Sequence, residues 1–301
     1  MSGAKNVIDM RPSKGFSPSQ GNEHLRRLDD CKRAQKARWN YDPSREHLNF
    51  EVGKGGVVTE VNKFKTINQR IQENLDSRGI VNPNKKYIDQ GLDSKYRTVA
   101  NFILGGNREV MRNLAFGNQK VDWEHGADNS DLKRMPEIEA WAKDAYAFMC
   151  KKFGEQNIAA FVVHLDEANP HVHCTVLPLT EKNRFSFVKT FMNGINTREA
   201  LSEYMDNLHT EYAEEVGLKY GMERGDSIKE TGAVHRTTEE YRRKLWKDAQ
   251  EKEEEVRENA KTIEQQNSTI TNQRGIIASL NREFKHSAAR LKALATMIKN
   301  L

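Results

Sequence analysis

The sequence predicts an α+β domain over residues 1–235, followed by a long helix or coiled coil over 236–301. Two patterns carry this reading. Short runs of strand character alternate with amphipathic helical stretches along the first part. Beyond 236 there is no proline and one glycine, Gly275, while Val256, Ile263, Ile270, Ile277, Phe284, Leu291 and Ile298 recur every seven residues. Apolar positions sustained at that spacing form a coiled-coil seam. The companion positions are Asn259, Gln266, Gln273, Leu280, Ser287, Leu294 and Leu301. Their polar start makes the near half of the seam weak or selective. A homodimer through this segment is the expectation, with an intramolecular helical hairpin as its rival.

Each element of the first part has its own signal. Pro12, Gly15 and Pro18 mark 11–20 as a loop. Leu25, Leu28 and Cys31 share one side of a helix over 21–38. Residues 47–52 alternate and stop at Gly53, a short strand. Val61, Phe64, Ile67, Ile71 and Leu75 make a second amphipathic helix. A strand over 99–104 is closed by Gly105 and Gly106, and the polar, Gly- and Asn-containing stretch 105–135 reads as an irregular insertion. Pro136 then opens a helix, since proline loses nothing at the first helical position. Ile138, Trp141, Ala142, Ala145, Phe148 and Met149 form its apolar face, and Gly154 follows its end. Strands at 158–163 and 172–177 flank a polar turn. A helix near 197–216 follows, and 217–225 closes the domain in turns.

Composition narrows the class. Hydrophobic residues are 37% and charged residues 30% of the chain, which suits a core plus a solvated extension. The formal charge of +5 argues only weakly for nucleic acid. The first fifty residues hold ten Lys and Arg against six Asp and Glu, concentrated in Arg26, Arg27, Lys32, Arg33, Lys36 and Arg38. They suggest a phosphate-facing surface as much as an ordinary solvated helix face. Three cysteines without a C-x-x-C spacing fit a reducing compartment. No signal-peptide pattern or apolar run near 18 residues is present, so a membrane span is not expected and a cytoplasmic location is.

The chemistry concentrates in His164-Leu165-Asp166-Glu167-Ala168-Asn169-Pro170-His171-Val172-His173. His171 and His173, two apart on a strand, present both imidazoles to one face while Val172 points to the other. His164 joins them if the two strands pair antiparallel. Three neutral imidazoles bind a divalent ion and leave positions open for phosphate oxygens. Asp166 and Glu167 in the turn either orient a ligand histidine or serve as acid or base. A His-x-His pair alone is more often a surface feature; the third histidine and the two acids change that balance. Zinc hydrolysis and phosphoryl transfer both remain open on these residues.

The same string resembles the signature of Mob/Pre-type (MobV) plasmid mobilisation relaxases, also called plasmid recombination enzymes, of the histidine–hydrophobe–histidine (HUH) endonuclease superfamily. Three further strings match in order. They are Asn22 to Arg27, with a histidine followed closely by arginine; Asp42-Pro43-Ser44-Arg45-Glu46-His47-Leu48-Asn49-Phe50-Glu51; and Tyr220-Gly221-Met222-Glu223-Arg224-Gly225. The resemblance implies an antiparallel HUH-type sheet with helices packed on it, the His171/His173 strand being central. It implies strand-specific nicking of a transfer origin for conjugative mobilisation. A covalent link to the 5′-phosphate forms and a 3′-hydroxyl is released. The cofactor implied is a divalent metal, Mn²⁺ first, with Mg²⁺ or another ion as alternatives.

The resemblance also distributes roles. His24 is the nucleophile by position, with Tyr41, Tyr87 and Tyr96 as rivals. His164, His171 and His173 hold the metal; Glu167 and Asp166 are the acids of the site. Arg27 and Arg45 are read as phosphate clamps, because a guanidinium fork matches two phosphate oxygens. DNA contacts are expected from Arg26, Arg27, Lys32, Arg33, Arg45, His47, Trp39 and Tyr41, the aromatics by stacking on unpaired bases. The implied partners are origin DNA, a duplex or hairpin with an adjacent single strand, and relaxosome or coupling proteins of a bacterial cytoplasm. A rolling-circle replication initiator and a non-covalent metal phosphodiesterase are the alternative functions.

Overall fold

The computed structural model describes residues 3–37, 41–226 and 238–299. Six strands form one sheet: β1 (Asn6–Ser13), β2 (Phe50–Gly53), β3 (Val57–Glu60), β4 (Val99–Gly106), β5 (Ile158–His164) and β6 (His171–Val176). Their order is β1-β4-β6-β5-β2-β3, and every pairing is antiparallel. The α+β antiparallel expectation holds, with β6 inside the sheet between β4 and β5.

Side chains alternate across the sheet and create two cores. On one face Phe50, Phe102, Leu104, Phe161, Val163, Val172 and Cys174 pack with α5 (Arg108–Phe116), α6 (Pro136–Phe153) and α8 (Arg198–Glu215). Trp141, Ala142 and Ala145 of α6 are fully buried there, as the periodicity predicts. On the other face Ala160, Val162 and Leu177 meet Phe16, Leu25, Ile67, Ile71 and Leu75. These come from α1 (Pro18–His24) and its flanks and from α3 (Ile67–Ser77). His171 and His173 alternate with Val172 and Cys174, so they belong to this second face.

Several expectations change. The helix read over 21–38 is two helices, α1 and α2 (Asp30–Ala37), parted at Arg26, whose φ is +51°. The helix read from Val61 begins at Ile67, because Thr66 and Gln69 close a reciprocal capping box that fixes the start; Phe64 is left exposed. Residues 105–135 are not irregular throughout: Asn107 caps the nine-residue α5 there. Strands β1 and β3 carry no clean alternation and escape the sequence reading. β1 lies at the sheet edge, where Pro12 is tolerated. Two short helices, α4 (Lys85–Ile88) and α7 (Phe187–Phe191), complete this unit.

The chain divides into two units, Met1–Thr231 and Gly232–Leu301. The second carries α9 (Thr238–Lys299), a single 62-residue helix. No helix among the described residues is long and apolar enough to cross a membrane.

The closing string 220–225 folds back on β1. Asn6 N donates to Glu223 O at 2.8 Å and Glu223 N to Ala4 O at 2.7 Å, which seats Met222 in the core with no exposure. A Cβ on Gly217 would stand 2.7 Å from the Met222 carbonyl, a backbone atom that cannot step aside. Gly217→Ala is therefore expected to destabilise the unit by about 1–3 kcal/mol. A denaturation midpoint equal to that of the wild type would contradict this packing.

Candidate metal centre

β5 and β6 bring three histidines to one place. His164 pairs with His171 and Val162 with His173 across the two strands. One nitrogen of each of His164, His171 and His173 lies within 4.8 Å of the others. His171 Nδ1–H donates to the Asn169 carbonyl at 2.9 Å, which leaves the Nε2 lone pair pointing at His173 Nε2, 3.0 Å away. Two ligands at right angles, each about 2.1 Å from a metal, stand roughly 3 Å apart. The pair therefore fits a divalent ion, with Asn169 O fixing the His171 tautomer. Burial lowers the pKa of both imidazoles, that of His173 well below the ordinary value, so they are neutral and ligand-competent at pH 7.

His164 is less free. Its Nε2 meets the His24 carbonyl at 2.8 Å and its Nδ1 meets Arg26 Nη2 at 3.2 Å. A guanidinium only donates, so Nδ1 accepts and Nε2–H donates. Binding a metal through His164 must exchange one of these bonds.

His24 is the last residue of α1 and is buried. Its ring stacks on that of His173 with centroids 3.9 Å apart and planes 18° apart, and Phe16 meets its edge. Its Nδ1 has no partner. Burial first, then the nearby His164, His171 and Arg26, lower its pKa to about 3.

Arg26 holds this arrangement together, and its role differs from the surface contact the sequence suggests. It is 2% exposed. Its Nε and Nη2 donate to the two oxygens of Asp166 at 2.8 and 2.7 Å, and Nη2 also reaches Glu167 at 2.8 Å. Asp166, fully buried, accepts a third bond from Asn49 Nδ2 at 2.7 Å. It is thus committed to Arg26 and Asn49 instead of orienting a ligand histidine. Burial works against ionising Glu167, but His171, His164 and Arg26 outweigh it and hold the carboxyl below its usual range. Residue type alone does not single out Asn49. Its Oδ1 accepts from Leu165 N at 2.7 Å, so it shapes the turn from inside. Its place within the Asp42–Glu51 string was the only signal.

The other predicted DNA contacts divide. Arg45 is not a phosphate clamp here: it is buried, bonding Asp42 at 3.0 Å and the Leu165 carbonyl at 2.7 Å. Arg33 and Lys63 both pair with Glu46, and Lys32 lies near Asp29, so much of the basic excess meets local acids. Arg27 and His47 are exposed. Tyr41 is buried beneath the Arg26 guanidinium, 4.7 Å from its ring centre, with an unpartnered hydroxyl whose pKa burial raises. Tyr87 and Tyr96 lie together on a separate surface, 6.1 Å apart, with Lys86 and Lys95 over their rings. Arg38 and Trp39 lie outside the described residues, as does the side chain of Lys36.

The class is thus an antiparallel α+β sheet protein with a three-imidazole face closed by a fourth histidine. Comparison with known proteins is specific. The plasmid recombination enzyme (Mob_Pre) family model matches residues 113–243. Plasmid recombination enzyme type 1 of Staphylococcus aureus is 33% identical over 235 residues, which is 76% of this chain and 56% of that protein. The type 3 enzyme of the same species is 28% identical over 167 residues, 55% of this chain and 37% of that one. This chain therefore spans between about a third and somewhat over half of those relatives' length. A MobM relaxase domain (MOBV; Mob_Pre), in an Mn-bound crystal structure with plasmid oriT DNA, shares the fold with a TM-score of 0.55 at 20% identity. The match covers 80% of this chain and 99% of that one. The chain is thus similar to plasmid recombination enzymes, and over residues 113–243 to the Mob_Pre family model.

The two neighbouring arginines make a sharp contrast. Removing Arg26 strands a buried carboxylate, so Arg26→Met is expected to cost about 3–5 kcal/mol in urea unfolding. Arg27→Met should stay within about 0.5 kcal/mol of the wild type. Equal effects from the two would refute the buried pairing.

Proposed function

We propose that this chain carries the catalytic domain of a metal-dependent DNA relaxase, over residues 1–235. It nicks one strand at a plasmid or mobile-element transfer origin for conjugative mobilisation in the bacterial cytoplasm. The observation that carries this reading is the His24 ring stacked 3.9 Å from His173, on a different element from the other imidazoles. A purely hydrolytic site has no use for such a group, whereas a transesterase needs a nucleophile of its own. Similarity to the Mob_Pre family, and the oriT DNA and Mn of the MobM structure, support the same substrate and Mn²⁺.

His164, His171 and His173 would hold the ion, which supplies charge stabilisation at the oxygens of the scissile phosphate. His24, kept neutral by burial, attacks phosphorus with a ring-nitrogen lone pair. The P–N bond forms as the P–O3′ bond breaks. The 3′-oxygen takes a proton from solvent, and the imidazole gives up its N–H proton. A phosphoramidate to the 5′-phosphate remains. Glu167, ionised beside the ligands, is placed to accept that proton or to join the ligand set. Arg26 positions both Glu167 and the turn, and exposed Arg27 and His47 are available to DNA.

The test uses Mn²⁺ and end-labelled oligonucleotides spanning the protein's own origin. A covalent adduct on the 5′ side should form with the wild type and with Tyr41→Phe. It should be absent with His24→Ala and acid-labile where it forms. Metal-dependent cutting without an adduct would sink the transesterase mechanism.

The same proposal assigns α9 to homodimerisation. Val256, Ile263, Ile270, Ile277, Phe284, Leu291 and Ile298 are all exposed along it. In equilibrium sedimentation the full chain should be a dimer that Ile263→Asp with Ile277→Asp converts to monomer. A monomeric wild type at micromolar concentration would contradict the seam.

A further inference from the structure

Arg112, on the outer side of α5, is a cation with no carboxylate partner among the described residues. Its Nε donates to the carbonyl of Ala168 at 2.9 Å, in the turn that joins β5 to β6. Its guanidinium carbon lies 3.4 Å from the centre of the Trp123 ring. That indole is itself fixed: Phe116 meets its edge at 6.1 Å, and the buried guanidinium of Arg45 lies 4.7 Å from its centre. The backbone carrying Trp123 is pinned as well. Asn129 Nδ2 donates to the Asp122 carbonyl and to Asp42, both at 2.8 Å, and Gln119 exchanges bonds with Lys133.

Anchored on one nitrogen and on an aromatic face, the guanidinium has lost its rotamer freedom before any ligand arrives. Among the described residues, no carboxylate pairs with it and nothing accepts from its two terminal nitrogens. Burial, with Arg108 and Arg45 close by, makes its positive charge harder to hold. Glu109, the one acid of the shallow pocket of about 270 Å³ that Arg112 and Trp123 line, makes no ion pair with it. An oriented fork of free N–H donors among like charges is a site for an oxyanion. Its anchor, Ala168, is the residue after Glu167, in the turn between the strands that carry His164 and His171.

We propose that Arg112 is a phosphate clamp for the single strand running past the metal hairpin, and that Trp123 is the positioning residue that holds its guanidinium flat. This rests on the relaxase reading above. The cation–π contact keeps the fork aimed; the phosphate replaces the acceptor that the protein does not provide. Lysine would keep the charge and lose both the stacking and the fork.

The test is fluorescence anisotropy of a labelled 20-nucleotide oligo(dT), in EDTA so that no chemistry intervenes, at several salt concentrations with the full chain. Arg112→Gln should weaken binding about 5-fold or more and flatten the plot of log K against log salt by about 0.7, the loss of one phosphate contact. Arg112→Lys should restore the slope and only part of the affinity. Trp123→Ala should reproduce most of the Arg112→Gln loss, and Trp123→Phe should recover it. If the wild type binds and all four variants bind alike with one slope, the clamp is wrong and the relaxase reading stands. If the wild type does not bind oligo(dT) at all, both fall. A Trp123→Ala loss that Trp123→Phe fails to recover, with Arg112→Gln unchanged, would show a structural role for the indole and would also overturn the clamp.

Discussion

The buried pair of Arg26 and Asp166 is the constraint on which the rest of the site depends. Taking two charges out of water is costly, and the pair is tolerable only because its geometry is bidentate and Asn49 satisfies a remaining lone pair. That requirement has structural consequences. The Arg26 backbone turns left-handed, at φ +51°, which ends α1 and aims the side chain inward. The same guanidinium reaches Glu167 and His164. One cation thus joins the helix that ends in His24 to the turn that separates the histidine strands, and sets the distance between them.

Sheet alternation supplies the second constraint. In β6 every other side chain enters the large core, so Val172 and Cys174 fix which way His171 and His173 face. The apolar cluster around Leu25, Ile67 and Val162 covers part of that face. Desolvation then holds His24, His171 and His173 neutral, the state that both ligation and nucleophilic attack require. His164 is coupled to the rest through the His24 carbonyl, so a metal taken up by all three imidazoles disturbs the bonds that seat the end of α1.

The legible parts of the sequence were those where one local rule decides. α6 shows a helical period, a proline at its start and a glycine after it, and its apolar face is the buried face. The heptads of 256–298 announce a helix without any tertiary context. The spacing of the histidine string points to a shared site, and the β5/β6 pairing brings its members together. What stayed hidden depends on partners distant in sequence. Nothing near Arg26 or Arg45 says that each will be buried against residues 165 and 166, more than a hundred positions away, so both looked like surface cations. Asn49 has the same difficulty, its partners being set by the tertiary fold. The β1 strand lies at an edge and includes a proline, so its pattern is that of a loop.

If the site works as proposed, His164, His171 and His173 share one divalent ion beside His24. Anomalous diffraction from crystals of the full chain soaked in Mn²⁺ measures this directly. One strong peak is expected within about 2.1–2.3 Å of a nitrogen from each of the three imidazoles, with the His24 ring next to it and not among the ligands. A peak held by carboxylates away from these histidines, or no peak at saturating Mn²⁺, would contradict it.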